Sequence, residues 1–169
     1  LKVLLQFHMM PYLLLTVKEI QIMPEKTALL KLYSNRILAL AATMPHVGRL
    51  AEPDASAMRR SPVCGSKVTV DVTMRDGMIT EFAQDVKACA LGQAAASITG
   101  QNILGATPEN IKKARDQLKI MLKDGGPTPD PPFEGFEVLA PAVEYKNRHE
   151  SILLVLQAAS DACDKALVS

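Results

Sequence analysis

The chain is 169 residues long, carries a formal net charge of +1, and has no Trp and few aromatic residues. That length suits one domain with a sizeable core. The near-neutral balance gives no electrostatic case for nucleic acid or an anionic membrane, and so few aromatics leave no platform for stacking bases. Three cysteines at irregular spacing do not make a disulfide framework. They fit a reducing compartment, the cytoplasm or in a eukaryote the mitochondrial matrix, where paired thiols bind metal or do chemistry.

Residues 1–22 are apolar, but Pro11 breaks the run and Lys2, His8, Lys18 and Glu19 puncture it. No uninterrupted span reaches the roughly 18 residues of a membrane helix. Neither the basic start nor the small-residue cleavage site of a signal peptide is clear. Residues 1–27 therefore read as an amino-terminal extension of a domain over 28–169, with Met23 a natural start. A targeting or membrane-surface segment is the alternative.

From 28 to 43 the apolar spacing turns helical, with Leu29, Leu32, Tyr33, Ile37 and Leu40 on one face. Pro45 ends this helix, and residues 48–61 read as an exposed loop carrying Glu52, Asp54, Arg59 and Arg60. His46 falls in the same connection and reads as a surface residue rather than a ligand.

Two period-two runs follow, Lys67 to Met74 and Met78 to Phe82, joined by Arg75-Asp76-Gly77. An Asp-Gly pair between alternating runs is a strong hairpin signal. A hairpin sets the start of its first strand beside the end of its second. Cys64, just before the first strand, and Cys89, just after the second, should therefore meet at one end of the sheet. Alternation places Asp71, Glu81 and Asp85 on the solvated face.

A small-residue helix is predicted over 92–101. Thr107-Pro108-Glu109 starts another, with Thr as N-cap and Pro in the first turn, and Asp124-Gly125-Gly126-Pro127 ends it. Its Lys112, Lys113, Arg115, Lys119 and Lys123 form a solvated face that would also suit an acidic partner. A Pro-rich connection over 127–135 leads to a short extended piece at 136–139. Pro141 opens the last helix, with Ile152, Val155, Leu156, Ala159 and Cys163 at helical spacing.

The chemistry centres on the two thiols. Cys89 precedes a helix, whose amides and dipole favour a thiolate that attacks sulfur or ligates metal. Gly65 after Cys64 admits close backbone approach to an ion. The plain alternative is that both are small buried hydrophobes. Two thiolates do not close a four-coordinate site. The third candidate is His149, and Glu150 beside it offers an oxygen, although a solvated charge explains Glu150 as simply. Cys163 lies fourteen residues beyond His149, about 21 Å along a helix, and reads as structural. Phosphate-loop, dinucleotide-binding, nucleophile-elbow and zinc-protease motifs are absent from the sequence.

In combination these features resemble the iron–sulfur cluster assembly scaffold family, of the IscU type or the NifU amino-terminal domain. Tyr33-Ser34 with Ile37, Pro45 and Gly48 resembles its first helix and following loop. Pro62-x-Cys64-Gly65 resembles the first cysteine motif, and Cys89 with the helix through Ala94 to Ser97 the second. His149 with Ser151-Ile152-Leu153 resembles the third. The resemblance implies an α+β fold, a small antiparallel sheet with helices packed on it and a long carboxy-terminal helix. It implies a non-enzymatic scaffold binding iron or a transient [2Fe–2S] cluster, or zinc, through Cys64, Cys89 and His149, with Glu150 or an exogenous ligand completing the set. Sulfur would come from a cysteine desulfurase, and cluster would pass to acceptor apo-proteins.

Two positions depart from the family pattern. Ser66 stands where an Asp follows Cys-Gly, and Glu150 stands where a third cysteine follows the histidine. A carboxylate is a harder donor than a thiolate. A more labile cluster, or zinc or mononuclear iron, is implied, and the chaperone-recognition segment is not evident. A zinc-bound sulfur acceptor serving the desulfurase, and a metal-free binding module, remain the alternatives.

Overall fold

A computed structural model describes residues 33–169. The expected extension over 1–27 and the start of the helix expected from 28 lie outside the described residues. Three antiparallel strands, β1 (Ala55–Arg60), β2 (Lys67–Arg75) and β3 (Met78–Lys87), form a sheet in that spatial order. Around it stand α1 (Asn35–Ala42), α2 (Ala90–Asn102), α3 (Pro108–Asp124), a 3-10 segment (Glu134–Glu144) and the long α4 (Lys146–Ala166). This is the α+β arrangement the sequence implied.

The hairpin forms as its turn residues dictate. Asp76 and Gly77 both have positive φ, 53° and 76°, which matches the twist of the flanking strands. Pairing runs from Arg75↔Met78 to Lys67↔Lys87, with one register shift at Thr73/Met74. Val68, Val70 and Val72 of β2 and Ala57 of β1 supply one apolar face. The α4 helix packs across this face, against β1 and β2, and also against α2 and α3. Ile152, Val155, Leu156, Ala159 and Cys163, the positions that kept helical spacing, are all buried.

The helix signals hold locally. Ser34 caps α1, its hydroxyl accepting from the Ile37 amide at 3.4 Å. Thr107 and Asn110 form a reciprocal capping box on α3, and Gly125 closes that helix with φ 64°. Of the α3 cations, Lys112 pairs with Asp164 and Lys113 with Asp130, each at 2.7 Å, and Arg115 pairs with Asp116 at 2.9 Å. α2 is buried nearly all round, and many of its buried residues are small, among them Gly92, Ala94, Ala95, Ala96 and Ser97. These short side chains let its neighbours come close.

Four local expectations change. Residues 55–60, read as part of an exposed loop, form strand β1, because β2 offers a free edge and Arg60 to Ala55 pair along it against Lys67 to Val72. Residues 136–139 are 3-10 helix, not extended: Phe136, Leu139 and Ala142 are buried at the three-residue spacing that aligns side chains in such a helix. Pro141 lies inside that segment, and α4 begins only at Lys146.

Asp71 is not solvated. It is fully buried and accepts from Arg49 at 2.7 and 2.9 Å, from the Leu50 amide at 3.0 Å and from Ser56 at 2.5 Å. The 43–54 connection delivers Arg49 and Leu50 to Asp71, and β1 delivers Ser56; these donors make burial of a carboxylate tolerable.

Candidate metal centre

The first thiol stands on a closed six-residue turn. Its ends are tied by the Ser61 amide donating to the Ser66 carbonyl at 2.8 Å, and the Gly65 amide donates to the Ser61 carbonyl at 3.1 Å. Gly65 makes the closure possible with φ 72°. Within the turn the buried Ser61 hydroxyl accepts from the amides of Val63 and Cys64. Cys64 itself is exposed.

The second thiol follows β3 and caps α2. Cys89 is half-buried, in extended backbone, and its carbonyl accepts from the Gln93 amide at 2.9 Å. The Lys67↔Lys87 register sets the two cysteine-bearing segments at the same end of the sheet.

A chain of hydroxyls links the sulfurs. Cys64 Sγ lies 3.0 Å from Ser66 Oγ, Ser66 Oγ lies 3.1 Å from Ser151 Oγ, and Ser151 Oγ lies 3.5 Å from Cys89 Sγ. Ser66 and Ser151 are both buried. Ser151 reaches this place because Gly92 of α2 has no side chain in the way.

The hydroxyls set the charge state of Cys64. Hydrogen bonds from Ser61 and Ser66 to its sulfur favour the thiolate and outweigh the small effect of burial, lowering its pKa to about 7. An exposed thiol so placed is ready to bind a cation or to attack an electrophilic sulfur. Cys163 is the contrast. It is fully buried in α4, and burial raises its pKa to about 11.

His149 and Glu150 stand apart from this chain. His149 is buried, and its Nε2 lies 2.8 Å from the Ala142 carbonyl. A carbonyl only accepts, so Nε2 donates to it and Nδ1 is the nitrogen left for a ligand. Residues two apart on a helix project about 200° apart, so His149 and Ser151 leave α4 on different sides. Glu150 between them is exposed. Among the described residues, no group of three or more His, Cys, Asp or Glu side chains is gathered as a metal site. The structure thus links Cys64 and Cys89 through the Ser66 and Ser151 hydroxyls and places neither His149 nor Glu150 in hydrogen-bond contact with them.

His46 is exposed and serves the backbone: its carbonyl accepts from the Gln84 amide at 2.8 Å, and its ring stands edge-on to Phe82. The residues that sequence reasoning gave no role are Ser61, Ser66 and Ser151. The available signal was a serine at each end of the Cys64 turn and a lone hydroxyl opening the apolar run Ile152 to Leu156.

A thiol pair held at one end of a three-stranded sheet, beneath a long helix, defines the class of protein to which this chain compares. No family model matches the sequence, and no curated protein matches it. Solved structures do. One is a nitrogen-fixing NifU-like protein (N-terminal) from Brucella abortus, 44% identical, with a TM-score of 0.82 over 84% of this chain and 99% of that one. Another, 18% identical, is a candidate iron–sulfur cluster assembly scaffold protein for the SUF system from the thermophile Fervidobacterium islandicum AW-1. It superposes with a TM-score of 0.70 over 79% of this chain and 98% of that one. A hypothetical protein, 19% identical, gives a TM-score of 0.67 over 76% and 94%. At such identities the last two show the fold alone. The first shows the family: the chain belongs to the NifU-like amino-terminal domains.

Proposed function

We propose that this protein is an iron–sulfur cluster assembly scaffold. In this reading Cys64 and Cys89 supply the thiolates for iron or a transient [2Fe–2S] cluster, His149 ligates through Nδ1 once the first turn of α4 turns it toward them, and Glu150 or an exogenous donor completes the set. The cluster is cargo. Its sulfur comes from a cysteine desulfurase, and the product passes to acceptor apo-proteins.

The observation that carries the proposal is the position of the Ser151 hydroxyl, next to Cys89 Sγ and linked through Ser66 to Cys64 Sγ. Two thiols at the open end of one hairpin, linked through two hydroxyls, suit a shared soft cation. The relative named as a nitrogen-fixing NifU-like protein supports the same reading.

The test is anaerobic reconstitution with ferrous iron and sulfide, followed by metal and sulfide analysis and visible absorption. Wild-type protein should gain colour, iron and sulfide. Cys64→Ser and Cys89→Ser should lose them, and His149→Ala should hold less. A colourless wild-type product carrying neither element removes the proposal.

The exposed, readily ionised Cys64 favours one second reading, in which zinc occupies the site and Cys64 accepts sulfur. Its thiolate would attack the outer sulfur of a persulfide on the donor enzyme. A new S–S bond forms at Cys64 as the donor's S–S bond breaks, and the donor cysteine leaves as thiolate. Stimulation of a cysteine desulfurase by wild-type protein, absent in Cys64→Ser, distinguishes this reading.

A further inference from the structure

The strand register makes a feature that the thiol chemistry does not use. Arg60 of β1 pairs with Lys67 of β2, and Lys67 pairs with Lys87 of β3. Directly paired residues in an antiparallel sheet point to the same face. Three cations therefore stand in one row across the sheet. With strands about 4.8 Å apart the row spans about 10 Å.

This row lies on the face away from the helices. Arg59, one residue before Arg60, points the other way and pairs with Asp161 of α4; alternation turns Arg60 outward beside Met58, which is 56% exposed. Arg60 and Lys87 are exposed, Lys67 is half-buried, and none of the three makes an ion pair with a described residue. The carboxylate nearest in register, Asp85, is opposite Thr69 and acts on Arg49. The row stands at the Cys64 and Cys89 end of the sheet.

Like charges directly opposite one another weaken a sheet. The fold gains nothing visible from three in succession, and in a chain that is near neutral as a whole the row is a local concentration of positive charge. We infer that Arg60, Lys67 and Lys87 form a docking surface for an acidic face of a partner protein, which they seat against the thiol pair. A protein suits the row better than a nucleic acid. The row is short, the described residues place no aromatic in register beside it for stacking, and exposed Met58 offers a partner an apolar contact. The inference does not depend on which cargo the thiols hold.

A fluorescent oligoglutamate peptide serves as the acidic probe, with binding read by anisotropy at two salt concentrations. The full chain should bind it, more weakly at high salt. Lys67→Glu combined with Lys87→Glu should weaken binding about tenfold or more, since each reversal replaces an attraction by a repulsion. Lys119→Glu combined with Lys123→Glu on α3 should leave it unchanged. Bound peptide should also slow alkylation of Cys64 by iodoacetamide, a neutral reagent.

Equal loss in both double variants, no protection of Cys64, or equally tight binding of a single-stranded oligonucleotide would overturn the inference. Iron and sulfide content after reconstitution is measured on the same variants and should not change. Retained peptide binding with lost reconstitution would place the cations in cargo binding and overturn the docking role. Failure of reconstitution in the wild type concerns the scaffold reading alone.

Discussion

Gly92 and Ser151 approach each other so closely that a Cβ on Gly92 would stand 2.6 Å from Ser151 Oγ and 3.0 Å from the Ser151 carbonyl oxygen. The same atom would lie 2.7 Å from Ala88 Cβ. The absent side chain at the start of α2 is what lets the Ser151 hydroxyl reach Cys89.

Gly92→Ala tests this contact. Alanine gains up to about 1 kcal/mol of helix propensity over glycine. Ser151 Oγ would rotate aside, but the backbone oxygen and Ala88 would have to move, and overpacking of this kind costs about 1–3 kcal/mol. The clash should win. We expect the midpoint of thermal unfolding to fall by a few degrees, and iron uptake on reconstitution to fall with the displaced hydroxyl. A variant as stable as the wild type with full uptake would show that the two helices separate freely here.

Hydroxyl donors hold Cys64 near pH 7, so its alkylation rate should follow a titration with a midpoint there. Removing a donor raises that midpoint toward the ordinary thiol range. Ser66→Ala is the cleaner variant, because Ser61 also accepts from two amides of the turn. The stability linkage runs the same way. A thiol whose folded pKa lies below its unfolded value of about 8.5 adds stability above that pH and loses it as pH falls through 7. An unshifted midpoint in Ser66→Ala would disconnect the hydroxyl from the thiol.

The convergence of Cys64 and Cys89 was legible because turn chemistry and period-two alternation fix a hairpin's register almost alone. The caps of α3 were legible for the same local reason. β1 was not, since Ala55-Ser56-Ala57-Met58-Arg59-Arg60 has little strand propensity and becomes a strand only by pairing with β2. Nor was the burial of Asp71, whose donors arrive from Arg49, Leu50 and Ser56 through tertiary folding. The orientation of His149 depends on where α4 begins, and the 3-10 segment that displaces that start past Pro141 has a three-residue period easily mistaken for other short elements.

Thiol labelling separates Cys64 from Cys163. At pH 8 Cys64 is exposed and largely ionised, while Cys163 is fully buried with its pKa raised to about 11. Native protein should label rapidly at Cys64 and leave Cys163 unmodified until denaturant is added. Mass spectrometry of peptides after timed iodoacetamide treatment reads this directly. Rapid native labelling of Cys163 would mean that α4 opens from the sheet far more often than its buried face implies. Cys163→Ala should leave reconstitution intact, because that sulfur lies far along the helix from the site.

Asp71 gives the acid limb of stability a specific source. Burial pushes its carboxyl pKa up, but hydrogen bonds from Arg49, Ser56 and the Leu50 amide, with the Arg49 charge, outweigh this and hold it below the usual value. A carboxylate with a lowered folded pKa contributes stability above its unfolded pKa of about 3.9, and that contribution disappears as pH falls through the folded value. Asp71→Asn presents an NH2 group to donors that need an acceptor. With Arg49 half-exposed and able to rehydrate, the cost should be about 2–3 kcal/mol at neutral pH, mainly from Ser56 and the Leu50 amide. Urea unfolding from pH 7 down to pH 3 checks both parts: the variant should begin less stable and then lose less than the wild type on acidification. Parallel curves would place the acid sensitivity in other carboxylates, of which Asp54 and Asp130 are also held low by hydrogen bonds.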